Sequence, residues 1–198
     1  MHYVWTVVGD DPDLNQGDRH GIDGYFMPMF DALTTKAFLR DEVRARGHAA
    51  GIYLGHNWLP GKTPAEIAAT VSAEYARVQV PGLKVQFNME EKDPERIAET
   101  LEEWRKRRPT VGTSWTMEGM QGGWMSPEFV QRVLDCRVRV VPQTFTGDMR
   151  RQESDVVVRD LLRRGFPENI ISPFYDAKQL GLNWDGFAFT MGRLPYLP

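Results

Sequence analysis

The segment Lys84-Val85-Gln86-Phe87-Asn88-Met89-Glu90 alternates strictly between polar and apolar residues. A period of two puts Lys84, Gln86, Asn88 and Glu90 on one face of a strand and Val85, Phe87 and Met89 on the other. Carboxylates and amides recur where other short apolar runs end: Asp10 and Asp11, Asp31, His56 with Asn57, Glu91, Glu118, Gln143 and Asp176. Two carboxylates facing each other across a cleft can divide acid–base work. One, held protonated, donates to a leaving oxygen, and the other, ionised, serves as nucleophile or base, which is what cleaving a glycosidic bond requires. Glu90 with Asp10 or Asp176 is the pair that fits, and a separation of about 5 Å or about 6.5–9.5 Å would decide between retention and inversion. Loop aspartates also cap helices and shape turns, a role equally open to Asp10-Asp11-Pro12-Asp13.

Aromatic residues fall near the same strand ends. Trp58, Trp115, Trp124, Tyr25 and Tyr175 are candidates to stack on sugar faces while their polar tips hydrogen-bond, with Trp115 alternatively facing helices. With Asn88, His56 and Glu118 they make up the expected ligand-binding set. The segment Glu118-Gly119-Met120-Gln121-Gly122-Gly123-Trp124-Met125 combines three glycines with large apolar groups that need a ligand, a partner or a packed lid. Other chemistries find less support. His2, His20, His48 and His56 lack ligand spacing, so no metal is expected. There is no Gly-x-Ser-x-Gly elbow and no phosphate-cradling glycine loop, so no nucleotide or other cofactor is expected. The lone Cys136 sits in an apolar-periodic stretch and reads as a packing residue.

The elements that must position these groups repeat as a β-branched or aromatic run, a polar corner and an amphipathic helix. Strands are expected at 3–9, 22–30, 49–57, 83–90, 110–117, 137–145, 169–176 and 186–190. Thr63-Pro64-Ala65-Glu66 supplies a capping box with proline at the first helical position, and Asp93-Pro94 and Ser126-Pro127 repeat the cap-plus-proline device. Ile97, Leu101 and Trp104 form one helical stripe, with Glu99, Glu102, Glu103 and Lys106 turned to water. Gly47 and Gly165 are placed to end helices. Alternation of this kind implies parallel strands, and eight of them imply an α/β fold: a small (β/α)8 TIM-type barrel, one domain over 1–198. Closure is expected to be imperfect, because only about a dozen residues link the first two strands and no helix follows the last.

With 41% hydrophobic and 26% charged residues the chain has the makings of one buried core. No apolar run approaches the roughly 20 residues of a spanning helix, so no membrane partner is expected. A net charge of −3, with basic clusters at expected helix ends, argues against nucleic acid. Met1 to Asp10 has neither a basic start nor a small-residue cleavage site and reads as a first strand rather than a signal peptide.

The strand-end carboxylates and Asn88-Met89-Glu90 resemble family-25 glycoside hydrolases, barrel lysozymes with Asp-x-Glu on the fourth strand. The resemblance implies Glu90 as the acid and Asp10 as a supporting carboxylate. Asn88 stands where that family has its first Asp, which implies a glycan-binding barrel with little or no turnover; the alternative is an active hydrolase of cell-wall polysaccharide. The whole chain, above all Tyr53-Leu54-Gly55-His56-Asn57-Trp58 and Met117 to Met125, is also similar to minor tail proteins of actinobacterial phages. That similarity implies a virion component made in the host cytoplasm, with cell-wall glycan and other tail proteins as partners in a larger assembly.

Overall fold

The computed structural model describes residues 2–6, 13–29, 36–55, 59–118, 122–143, 151–176 and 186–190. Among the described residues, eight strands alternate with helices through most of the fold. β1 (His2–Thr6) is followed by α1 (Leu14–Arg19), β2 (Ile22–Pro28) by the π-helical turn α2 (Phe38–Val43), and β3 (Ala49–Leu54) by α3 (Pro64–Val78). β4 (Lys84–Asn88) precedes α4 (Pro94–Arg107), β5 (Thr113–Glu118) precedes α5 (Pro127–Asp135), and β6 (Arg139–Gln143) precedes α6 (Arg151–Arg163). β7 (Phe174–Asp176) and β8 (Gly186–Thr190) complete the sheet, which closes in the order β1 to β8 and back to β1.

The parallel repeat is well paired from β1 through β6. β7 joins β6 in parallel through Gln143 and Phe174, and a bridge between Val140 and Ile171 extends the contact. β8 runs antiparallel to both β7 and β1. The expectation of a (β/α)8 repeat is corrected accordingly: the sheet is an α/β barrel, but the eight-fold repeat stops before the last strand. Nine residues, 177–185, separate β7 from β8, too few for a helical crossover, whereas an antiparallel return needs no helix. The expected seventh strand is also shortened, since Pro173 has no N–H for a ladder and residues 168–170 form a 3-10 turn instead.

The helix starts follow the sequence devices. Thr63 Oγ1 accepts from the Glu66 amide while Glu66 reaches back to the Thr63 amide, a complete capping box. Asp93 accepts from the Arg96 amide and Ser126 from the Phe129 amide. Gly47 and Gly165 hold positive φ, and the chain after Gly165 closes back through Phe166 N–H to the Leu161 carbonyl, the return that relieves a helix end.

Alternation along the strands sorts the buried residues into two sets. Val4, Tyr25, Ile52, Val85, Phe87, Trp115 and Val140 point outward and join Leu39, Val71, Ile97, Leu101, Trp104 and Val133 between sheet and helices. Trp104 anchors this layer, lying edge-on to Phe87 with ring centroids 5.6 Å apart and donating Nε1–H to Thr113 Oγ1 at 2.9 Å. Tyr3, Trp5, Phe26 and Val141 form a second, separate cluster inside the barrel, with Tyr53 against it. Two glycines provide room for it: a Cβ at Gly24 would collide with the Tyr3 ring and one at Gly51 with the Phe26 ring.

Candidate functional site

The polar face expected on β4 lies inside the barrel. Gln86 is 0% exposed and Asn88 4%, while Phe87 and Met89 of the opposite face belong to the layer under the helices. Ser114 and Thr116 of β5 are buried beside them. Gln86 Nε2 donates to Thr116 Oγ1 at 2.5 Å, and Gln86 Oε1 accepts from no donor among the described residues. Branched aliphatics commonly fill a barrel interior. On this wall amides and hydroxyls do so.

At the C-terminal end of the same wall Gln143 of β6 draws two β4-side residues together. Its Nε2 donates to Glu90 Oε1 at 2.6 Å and to Asn88 Oδ1 at 3.3 Å. Asn88 is buried, while Glu90 and Gln143 are partly exposed, as side chains at a mouth should be. Glu91, the next residue, is not part of this group: its Oε2 takes a 2.7 Å bond from one Arg96 nitrogen, and a second Arg96 nitrogen donates to both the Leu59 and Lys62 carbonyls. Arg96 thereby fixes the chain after β4 to the start of α3.

Lining the interior on the opposite side, Trp5 and Tyr53 stack with centroids 4.1 Å apart and planes tilted by 55°. Burial holds the Tyr53 hydroxyl above its ordinary pKa, so it stays protonated and able to donate. Neither residue was expected at the site. The signal was present in the alternation Tyr3-Val4-Trp5, which puts both aromatics on the face away from Val4.

The structure places the expected residues unequally. Asn88 and Glu90 come together through Gln143, the glutamine noted at the end of the sixth strand. Glu118 is the last residue of β5, in register with Gln143, and Tyr175 and Asp176 lie on β7 in register with Ala188 and Phe187; their side chains are outside the described set. Asp10, His56 and Trp58 fall outside the described residues altogether.

Three aromatic expectations are corrected. Trp115 is 0% exposed and faces the helices, where its Nε1–H donates to the Met89 carbonyl at 3.1 Å and its ring meets Phe129 edge-on at 5.7 Å. Its neighbours Ser114 and Thr116 hold the inward positions, and strand parity gives Trp115 the other side. Trp124 packs on the same group, 6.4 Å from Trp115 and 5.3 Å from Phe129. With Met125 buried beside it, this end of the glycine-rich loop is a packed cover over α5 rather than a stacking platform. Tyr25 is fully buried in the outer layer and meets the His48 ring edge-on.

Among the described residues no group of three His, Cys, Asp or Glu side chains has the arrangement to hold a metal ion. No described helix is long and apolar enough to cross a membrane.

No family model matches the chain, and no curated protein matches it. Among solved structures it is similar to 2,3-dimethylmalate lyase, described as a member of the PEP mutase/isocitrate lyase superfamily, with a TM-score of 0.53 and 14% identity. The match covers 83% of this chain and 62% of the lyase chain. At that identity the likeness concerns the barrel-like α/β fold alone.

Proposed function

We propose that the chain is a phage tail component whose glycosidase-like barrel recognises host cell-wall glycan at the mouth formed by Asn88, Glu90 and Gln143, with little or no turnover. The observation that carries this reading is the amide of Gln143 donating to both Asn88 and Glu90. A glycosidic general acid must hold a proton and give it to the leaving oxygen. Here Gln143 already occupies one Glu90 oxygen, and the position two residues before it, Asn88, an aspartate in the barrel lysozymes the segment resembles, is an amide. Carboxylate and amide oxygens fixed side by side suit a ligand rich in hydroxyl donors, and Tyr53, partly exposed in the interior beside Trp5, offers a ring of the kind sugars stack on. In this reading the other partners are neighbouring tail proteins, and the site of action is the virion.

The test is release of soluble reducing sugar from purified actinobacterial cell walls by the recombinant chain, beside a wall-sedimentation assay, each repeated with Glu90→Gln. The expected result is retention on the walls without sugar release. Glu90→Gln should weaken retention by no more than the roughly 1.5–3 kcal/mol of one charge-assisted hydrogen bond. Sugar release that vanishes in Glu90→Gln would overturn the binding reading and make the chain a hydrolase.

A further inference from the structure

A second concavity lies at the opposite end of the barrel. A cavity of about 430 Å³ opens among the N-terminal ends of β4, β5 and β6 and reaches the interior ring of Phe26, with Leu134 and Ile170 as apolar walls. Three cations line it, Lys84, Arg137 and Arg139, and among the described residues no Asp or Glu does. This is an uncommon way to use charge, because cations drawn partly out of water are ordinarily paired.

Each of the three is held there at some cost. Lys84 is partly buried, with its ammonium 5.7 Å from the centroid of the Tyr3 ring. Burial first, and then the nearby Arg139 charge, holds its pKa below the ordinary lysine value. Arg139 is likewise partly buried and its pKa lowered by burial. One of its nitrogens bonds the Asn169 carbonyl and Ser172 Oγ at 3.0 Å each, which, among the described residues, leaves Nε and the second NH2 group for another acceptor. Arg137 occupies the left-handed region at φ 52 directly after the end of α5, a position where glycine is ordinarily favoured. A non-glycine residue strained at a pocket rim is a reason to look for a role.

We infer that this N-terminal cavity binds a small organic oxyanion, a carboxylate or phosphate seated between Lys84 and Arg139 with an apolar arm against Phe26 and Leu134. The missing negative charge in the wall is what the ligand supplies. Arg137, at the rim, adds to the attraction and has the reach to close over the bound group. The site stands apart from the glycan mouth and does not depend on it.

Calorimetric titration with phenyl phosphate, benzoate and inorganic phosphate at low salt tests the inference on the whole chain. Phenyl phosphate or benzoate is expected to bind saturably, and more tightly than inorganic phosphate by about fivefold or more, because the ring adds apolar burial. Lys84→Met is expected to weaken binding by about tenfold or more while raising the thermal midpoint of the unliganded protein, since it removes an unpaired cation beside Arg139. Arg137→Gly, which suits the backbone conformation, is expected to keep the fold and weaken binding severalfold, and Glu90→Gln to leave it unchanged. Absence of saturable binding by any of the three probes up to about 20 mM, or a folded Lys84→Met that binds as well as the parent chain, would overturn it.

Discussion

The buried amide of Gln86 offers a quantitative test of why this barrel wall is polar. Gln86 is 0% exposed, bonds Thr116 Oγ1 through Nε2, and presents an Oε1 with no protein partner among the described residues. Thr116→Val removes the hydroxyl and leaves the amide unpaired at both ends, an expected loss of about 2 kcal/mol within the usual 1–3 kcal/mol. For a chain of this size that lowers the thermal midpoint by about 4–8 °C. Gln86→Met with Thr116→Val replaces the bonded pair by apolar groups of similar volume and removes the unmatched acceptor. Its stability should return to within about 1 kcal/mol of the parent, on the stabilised side. Gln86→Met alone should be near neutral, since the unmatched acceptor it removes offsets the hydroxyl it leaves unpaired, so the two substitutions couple by about 2 kcal/mol. Urea unfolding followed by tryptophan fluorescence, with an unchanged slope, measures all four corners of the cycle. A neutral Thr116→Val, or a double variant less stable than Thr116→Val alone, would refute the reasoning. If the polar wall serves a ligand, the double variant should also retain cell-wall glycan less well despite its stability.

Three further outcomes are expected elsewhere in the fold. Arg105 donates to the carbonyls of Cys136, Arg108, Pro109, Val111 and Arg137, tying the end of α4 to the end of α5; Arg105→Met should cost about 2–4 kcal/mol in urea unfolding, and Arg105→Lys, with three donors and no planar fork, should recover less than half of that. Burial pushes the Cys136 thiol up to about 11, so a disulfide reagent at about pH 8 should label the native chain negligibly and the urea-unfolded chain fully. The hydrogen bond from Arg132 holds the Glu102 carboxyl below its ordinary value of 4.5; because the folded value is the lower one, this contribution is present above the unfolded pKa and lost as pH falls through the folded one. Arg132→Met should accordingly flatten the fall in urea midpoint between about pH 5 and pH 3.

What was legible in the sequence was mostly local. The capping box at Thr63, the caps at Asp93 and Ser126, and the stripe of Ile97, Leu101 and Trp104 all depend on neighbours within one or two turns, and all are present. The water-facing assignment of the same helix held for Glu99 and Lys106, but Glu102 instead pairs with Arg132 of α5, a contact 30 residues away in the chain that periodicity does not encode. The β4 alternation was legible because its polar and apolar residues differ at every step. Trp115 was readable by the same rule, since Ser114 and Thr116 flank it, but its type suggested a stacking role that its parity opposes. The direction of β8 was missed because strand propensity carries no sign. The nine residues before it carry that information, being too few for a parallel return.

The barrel interior is divided both around the axis and along it, and this bears on how its two ends can work. Around the axis, β1 to β3 contribute the Tyr3, Trp5, Phe26 and Tyr53 rings, whereas β4 to β6 contribute, besides Val141, amides, hydroxyls and charges. Along β4 the inward residues run from a cation at Lys84, through Gln86 and Asn88, to a carboxylate at Glu90. The six-residue interval corresponds to about 20 Å of strand. A ligand anion at one end and a hydroxyl-rich ligand at the other therefore meet groups of complementary character without competing for the same side chains. Residues that far apart, with no shared partner, should contribute independently. The double variant Lys84→Met, Glu90→Gln should show the sum of the two single effects on unfolding free energy, within about 0.5 kcal/mol. A larger deviation in urea unfolding would mean that Gln86 and Thr116 transmit strain between the ends, and that the interior behaves as one polar network rather than two separate sites.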